Sequence, residues 1–137
     1  MKVVIDTNVL LVSFPTKSRY RPIFDAFINS KVSFVITTSI YFEYLEIITN
    51  QAKVEIAEYF KDFVRAAENV ITPEVHYHWN LIIADPDDNK FIDAYIAASA
   101  DYLVTNDAHF NEVRASDFPP VNIISADAFL EIVNDIK

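Results

Sequence analysis

Five short runs of β-branched and aromatic residues recur along this chain, with helically spaced stretches between them. That alternation narrows the fold more than any other feature. Val3-Val4-Ile5, Val32 to Ile36, Val70-Ile71, Tyr102 to Val104 and Val121 to Ile124 read as strands. Val3-Val4-Ile5 and Tyr102 to Val104 are continuous apolar runs, the pattern of strands buried on both faces. Between the runs lie Asn8 to Phe14, interrupted by Pro15, and Pro22 to Asn29 with apolar residues at 23, 24, 27 and 28. Thr37, Thr38 or Ser39 caps a helix reaching about Thr49. Lys53 to Ala67, Asn89 to Ala100 and His109 to Arg114 follow, and Ser125 caps a final helix. Thr72 to Ile83 resists assignment. Strands alternating with helices imply a parallel sheet flanked on both sides.

The 137 residues make one ordinary domain spanning 1–137, and 52% hydrophobic content supports a folded core. Without cysteine there are no disulfides and no thiolate metal sites. Glycine is absent too, which removes P-loop and dinucleotide fingerprints. Turns then lean on asparagine, aspartate and proline, with Asn29, Asn50, Asn69 and Asn106 as candidate replacements. No apolar run approaches the roughly 20 residues that span a bilayer. Asp6 interrupts the first apolar run, so no signal peptide is expected, and a soluble cytoplasmic protein with no membrane partner is. A net charge of −9 opposes broad electrostatic binding to nucleic acid. The exception is the basic cluster of Lys17, Arg19 and Arg21, a candidate RNA-backbone contact or an ordinary basic loop.

Carboxylates stand where chemistry usually occurs. Asp6 and Asp107 each follow a strand, at the sheet edge where open α/β folds bind ligands. Asp93 lies within Phe91-Ile92-Asp93-Ala94-Tyr95-Ile96, a helix apolar nearly all round, so its burial demands a metal or a partner. Glu43 falls on the flank of the buried arc of its helix, and Glu46 lies about 60° further toward the polar side. Asp88 is either a ligand at a helix start or a first-turn acid favoured by the helix dipole. Converging acids repel one another, and Mg²⁺ or Mn²⁺ resolves that repulsion as hard ions that prefer oxygen. His76 and His78 lack a nearby third ligand for zinc, and His109 suits a helix start or, as the alternative, a phosphate contact.

Val4-Ile5-Asp6-Thr7-Asn8, Glu43-Tyr44-Leu45, the run from Asp85 to Ala94, and Val104-Thr105-Asn106-Asp107 occur in one order across essentially the whole chain. This ordered set resembles the PIN-domain ribonucleases, in particular their toxin-like prokaryotic branch. The resemblance implies a three-layer α/β/α sandwich with a parallel central sheet, and Mg²⁺- or Mn²⁺-dependent cleavage of RNA. It puts Asp6, Glu43, Asp93 and Asp107 in the catalytic acidic cluster, adds Asp88 as a metal ligand, and gives Asn8 and Thr105 supporting roles. It also implies an antitoxin protein as partner, and often a homodimer. Asn106 departs from the pattern, standing where this branch commonly has glycine. The alternative is a non-catalytic interaction module with the same fold. A phosphatase of the haloacid dehalogenase class fits poorly, because Asn8 stands where a second aspartate is required. A phospho-accepting receiver domain fits no better.

Overall fold

The computed structural model describes residues 1–114 and 118–136. Strand β1 (Lys2–Ile5) leads into α1 (Thr7–Ser13) and α2 (Arg21–Ile28), followed by β2 (Ser33–Val35). Then come α3 (Thr38–Gln51), α4 (Val54–Ala66) and β3 (Val70–Ile71). The second half holds α5 (Asn89–Ala98), β4 (Tyr102–Val104), α6 (Asn111–Arg114), β5 (Ile123–Ile124) and α7 (Ala126–Asp135). Single 3-10 turns at Pro86–Asp88 and Ala108–Phe110 precede α5 and α6. No described helix is long and apolar enough to cross a membrane.

The five strands form one sheet in the order β3-β2-β1-β4-β5, and every neighbouring pair is parallel. Right-handed crossovers then place helices on both faces, giving the expected three layers. The chain reverses direction across the sheet between β1 and β4, where Ile5 lies opposite Val104. A crevice opens at such a switch point, outside the carboxyl ends of the two strands. Burial follows the sequence pattern: Val3, Val4, Ile5, Phe34, Val35, Leu103 and Val104 are all fully enclosed.

Capping explains where two helices begin. Thr37 Oγ1 accepts from the Ile40 N–H at the start of α3, and Ser125 Oγ accepts from the Ala128 N–H at the start of α7. Of the expected asparagine substitutes for glycine, Asn29 stands at the C-cap of α2, and none of the four is left-handed. Among the described residues, Ser30, Asn80 and Ser99 have left-handed backbone, and Ser99 ends α5 two residues earlier than the apolar pattern suggested. Small side chains whose hydroxyls can bond locally tolerate this region, as asparagine does.

Aromatic packing joins the helical layer to the sheet. Phe27 stacks on Phe34 of β2, while Phe14, Phe24 and Phe60 meet edge to face. The fully buried Tyr44 of α3 packs on Phe60 and donates its hydroxyl to the Ile5 carbonyl at the end of β1. This bond lies one residue from Asp6 on one side and one from Glu43 on the other, so it fixes both backbones together. Burial, and then the charges of Asp6 and Glu43, push the Tyr44 phenol well above its ordinary pKa, so it remains a donor. Tyr44→Phe keeps the ring but removes this donor. It should cost about 1 to 2 kcal/mol in urea unfolding, and an unchanged midpoint would contradict the assigned role.

Candidate metal centre

Parallel pairing of β1 with β4 brings Asp6 beside Thr105. The Asp6 N–H donates to the Val104 carbonyl at 3.0 Å, which extends the ladder to the acid itself. Thr105 Oγ1 donates to Asp6 Oδ2 at 2.8 Å and accepts the Asp107 N–H at 3.0 Å. One buried hydroxyl thus spaces two acids. Asp107 also opens the 3-10 turn, with Oδ1 accepting the His109 N–H at 2.9 Å. Capping and site placement are therefore compatible for this residue.

Helix α3 brings in Glu43, which accepts from Thr7 Oγ1 and pairs with Lys90 Nζ at 2.7 Å. Glu46 is exposed, as its position on the helix indicated. Asp88 ends the turn before α5 without a side-chain capping bond. Its carboxylate instead faces His109 Nδ1 at 3.3 Å. The same nitrogen is 3.3 Å from Asp107 Oδ1 and 3.9 Å from Asp85 Oδ2. Asp85, Asp88 and His109 offer ligand atoms within 4.8 Å of one another. Asn8 lines a hollow of about 240 Å³ together with Asp6 and Asp107.

Electrostatics link these acids. Burial raises the Asp6 pKa, the Thr105 hydrogen bond opposes the rise, and the charges of Asp107 and Glu43 add to it. Asp88 is pushed up to about 6, by burial first and then by Asp85, with further contributions from Asp107 and Asp6. His109 is raised by its hydrogen bond to Asp88 and by the charge of Asp107. Asp6, Glu43, Asp88 and Asp107 therefore share one electrostatic environment. Their oxygen donors suit a hard divalent ion, and His109 offers a nitrogen at the rim.

Asp93 lines a hollow with Lys90, the partner of Glu43. It is 5% exposed, as the apolar helix required, but its needs are met by protein. Oδ2 lies 3.1 Å from His78 Nδ1, and Oδ1 accepts the Trp79 N–H at 3.0 Å. The partner comes from the segment whose structure the sequence did not reveal.

The basic cluster is largely engaged elsewhere. Arg19 pairs with Asp127 at 2.7 Å, and Arg21 pairs with Asp25 at 2.9 Å and donates to the Phe14 carbonyl. Lys17 is exposed, with no ion pair among the described residues. His76 pairs with Glu74 and His78 with Asp93, so the two histidines do not converge on one ion. Asn106 accepts the Ala126 N–H at 3.0 Å and is not left-handed, so the missing glycine carries no strain there. Sequence reasoning gave Lys90 and Thr7 no role, and for His109 weighed a phosphate contact against a helix start. The spacing of His109 two residues after a strand-end aspartate is the signal that was available, since a turn folds that ring back toward the acid.

The PIN domain family model matches residues 2–109. No curated protein matches the sequence. Among solved structures, a chain of VapBC2 from Rickettsia felis, determined bound to a DNA fragment from its promoter, is similar in fold. Its TM-score is 0.64 at 16% identity, covering 91% of this chain and 98% of that one. The chain belongs to the PIN-domain family.

Proposed function

We propose that this protein is a divalent-cation-dependent ribonuclease that hydrolyses RNA phosphodiester bonds. The observation that carries this reading is the shared electrostatic environment of Asp6, Glu43, Asp88 and Asp107 at the switch point of the sheet. PIN-domain membership supports it. Asp93, expected among the catalytic acids, stays in the proposed set, held by His78 and Trp79 as Thr7 and Lys90 hold Glu43.

These carboxylates, with Asp93, would hold Mg²⁺ or Mn²⁺. Bound there, such an ion polarises a phosphoryl oxygen and lowers the pKa of water. Thr105 keeps Asp6 and Asp107 at fixed spacing, and Thr7 orients Glu43. Lys90 offsets the charge of Glu43. His109, 44% exposed, presents an imidazole at the rim where a phosphate approaches. Family membership and the fold shared with a VapBC2 chain support a cytoplasmic toxin held by an antitoxin partner. One observation favours the non-catalytic alternative: Lys90 and His109 already neutralise part of the acidic group.

Purified protein should cleave single-stranded RNA with Mn²⁺ and lose that activity in EDTA. Asp6→Asn should lower the rate by about a hundredfold or more, since even partners outside the ligand set cost 10- to 100-fold. Undiminished cleavage by that variant would remove Asp6 from the site. No cleavage of varied RNAs, with no ion bound, would favour the interaction module.

The raised Asp88 pKa sets a pH dependence. Its folded value lies near 6, above the ordinary 3.8, so its contribution to metal-free stability is present below about pH 4 and is lost as pH rises through 6. An ion must displace that proton. Mn²⁺ should therefore bind about tenfold tighter at pH 7.5 than at pH 5 in calorimetric titration, and flat affinity would contradict Asp88 as a ligand.

A further inference from the structure

Lys90 puts a positive charge among acids proposed to hold a cation. Its Nζ lies 2.7 Å from Glu43 Oε1, and the Thr7 hydroxyl donates to Glu43 Oε2, so both oxygens of that acid already have a donor. The pair is also enclosed, with side chains 22% and 23% exposed. Every other pairing of lysine or arginine with a carboxylate among the described residues leaves at least one side chain 49% exposed or more. Exposed pairs contribute little, whereas an enclosed pair is costly to break from one side. Lys90 reaches Glu43 from the first turn of α5, three residues before Asp93 and about 60° from it around the helix. Both line the hollow of about 240 Å³ that also takes in Thr37, Ser39 and Asp87.

A divalent ion at the same acids meets this ammonium as a competitor. An ion such as Mg²⁺ sits about 2.1 Å from a carboxylate oxygen. With Nζ 2.7 Å from Oε1, two cations on that oxygen would lie less than about 5 Å apart. At that range, in partial burial, they repel strongly. Lysine can yield, because its charge rides on a flexible four-carbon stem, whereas the rigid fork of arginine would suit a permanent bridge. The hollow gives the displaced ammonium a place to go, beside the Asp87 carboxylate and the hydroxyls of Thr37 and Ser39. We infer that Lys90 is an exchangeable place-holder, which neutralises Glu43 while no ion is bound and withdraws into the hollow when a divalent ion takes that carboxylate. Lys90 thereby sets how tightly the ion is held. The inference deepens the metal-centre reading and rests on it. Thr7 needs no such exchange, since its hydroxyl carries no charge.

Lys90→Met keeps most of the stem and removes the charge. The metal-free full chain is titrated with Mn²⁺ in a calorimeter, and its thermal unfolding is followed by circular dichroism. The variant should bind Mn²⁺ about tenfold tighter than the wild type, a modest coupling between two competing cations. Without metal it should unfold at a lower temperature, because Glu43 has lost its counter-charge. Lys90→Arg, which keeps the charge, should bring no gain in affinity. In a Glu43→Gln background, Lys90→Met should lose most of its gain. Lys90→Gln carries the same test where Lys90→Met fails to fold, since its amide can still donate to Glu43. Affinity unchanged or weaker in a folded, uncharged variant would overturn the place-holder and leave Lys90 a fixed bridge. So would Lys90 Nζ still on Glu43 in crystals carrying Mn²⁺. Tighter binding by Lys90→Met in a chain that cleaves no RNA would uphold the place-holder and overturn the nuclease reading alone. No ion bound by any of these chains would overturn both.

Discussion

The parallel pairing of β1 with β4 does not stop at the last strand residue. The Asp6 N–H still finds the Val104 carbonyl, and Thr105 then bridges Asp6 to the Asp107 backbone. Two acids about a hundred residues apart are therefore spaced by backbone hydrogen bonding and one hydroxyl, with little side-chain freedom left. Tyr44 adds the third side by tying α3 to the Ile5 carbonyl, which carries Glu43 into range. Rigid regular elements hold a ligand set more precisely than loops do.

That arrangement works against stability. Acids placed together in partial burial raise one another's pKa, as Asp6 and Asp88 both show. In a chain of net charge −9, few cations are available to relieve this, and the two nearby, Lys90 and His109, each contact members of the group. The cost is offset elsewhere, in the enclosed sheet and the aromatic packing of Phe14, Phe24, Phe27, Phe34 and Phe60. A divalent ion at the acids would convert the repulsion into attraction, so ion binding and folding stability should be strongly coupled.

Much of this was legible in the sequence because the governing interactions are local. β-branched runs mark the strands, Thr37 and Ser125 start their helices, and a strand-end aspartate announces itself at positions 6 and 107. Asp93 shows where legibility ends. Its burial followed from the helix pattern, yet its partner did not, because His78 and Trp79 lie in a segment with no periodicity to read. Lys90 and His109 were obscure for a related reason. Each is an ordinary polar residue in the sequence, and its meaning comes from a contact made across the fold. Left-handed backbone at Ser30 and Ser99 is likewise set by how α2 and α5 end, not by residue preference.

The central proposal is that Asp6, Glu43, Asp88, Asp93 and Asp107 hold a divalent ion at the sheet edge. Anomalous diffraction from crystals soaked in Mn²⁺ tests this directly. The expected result is a manganese peak in contact with Asp6 and Asp107, within reach of Asp88 and Glu43. No peak at the sheet edge would contradict it.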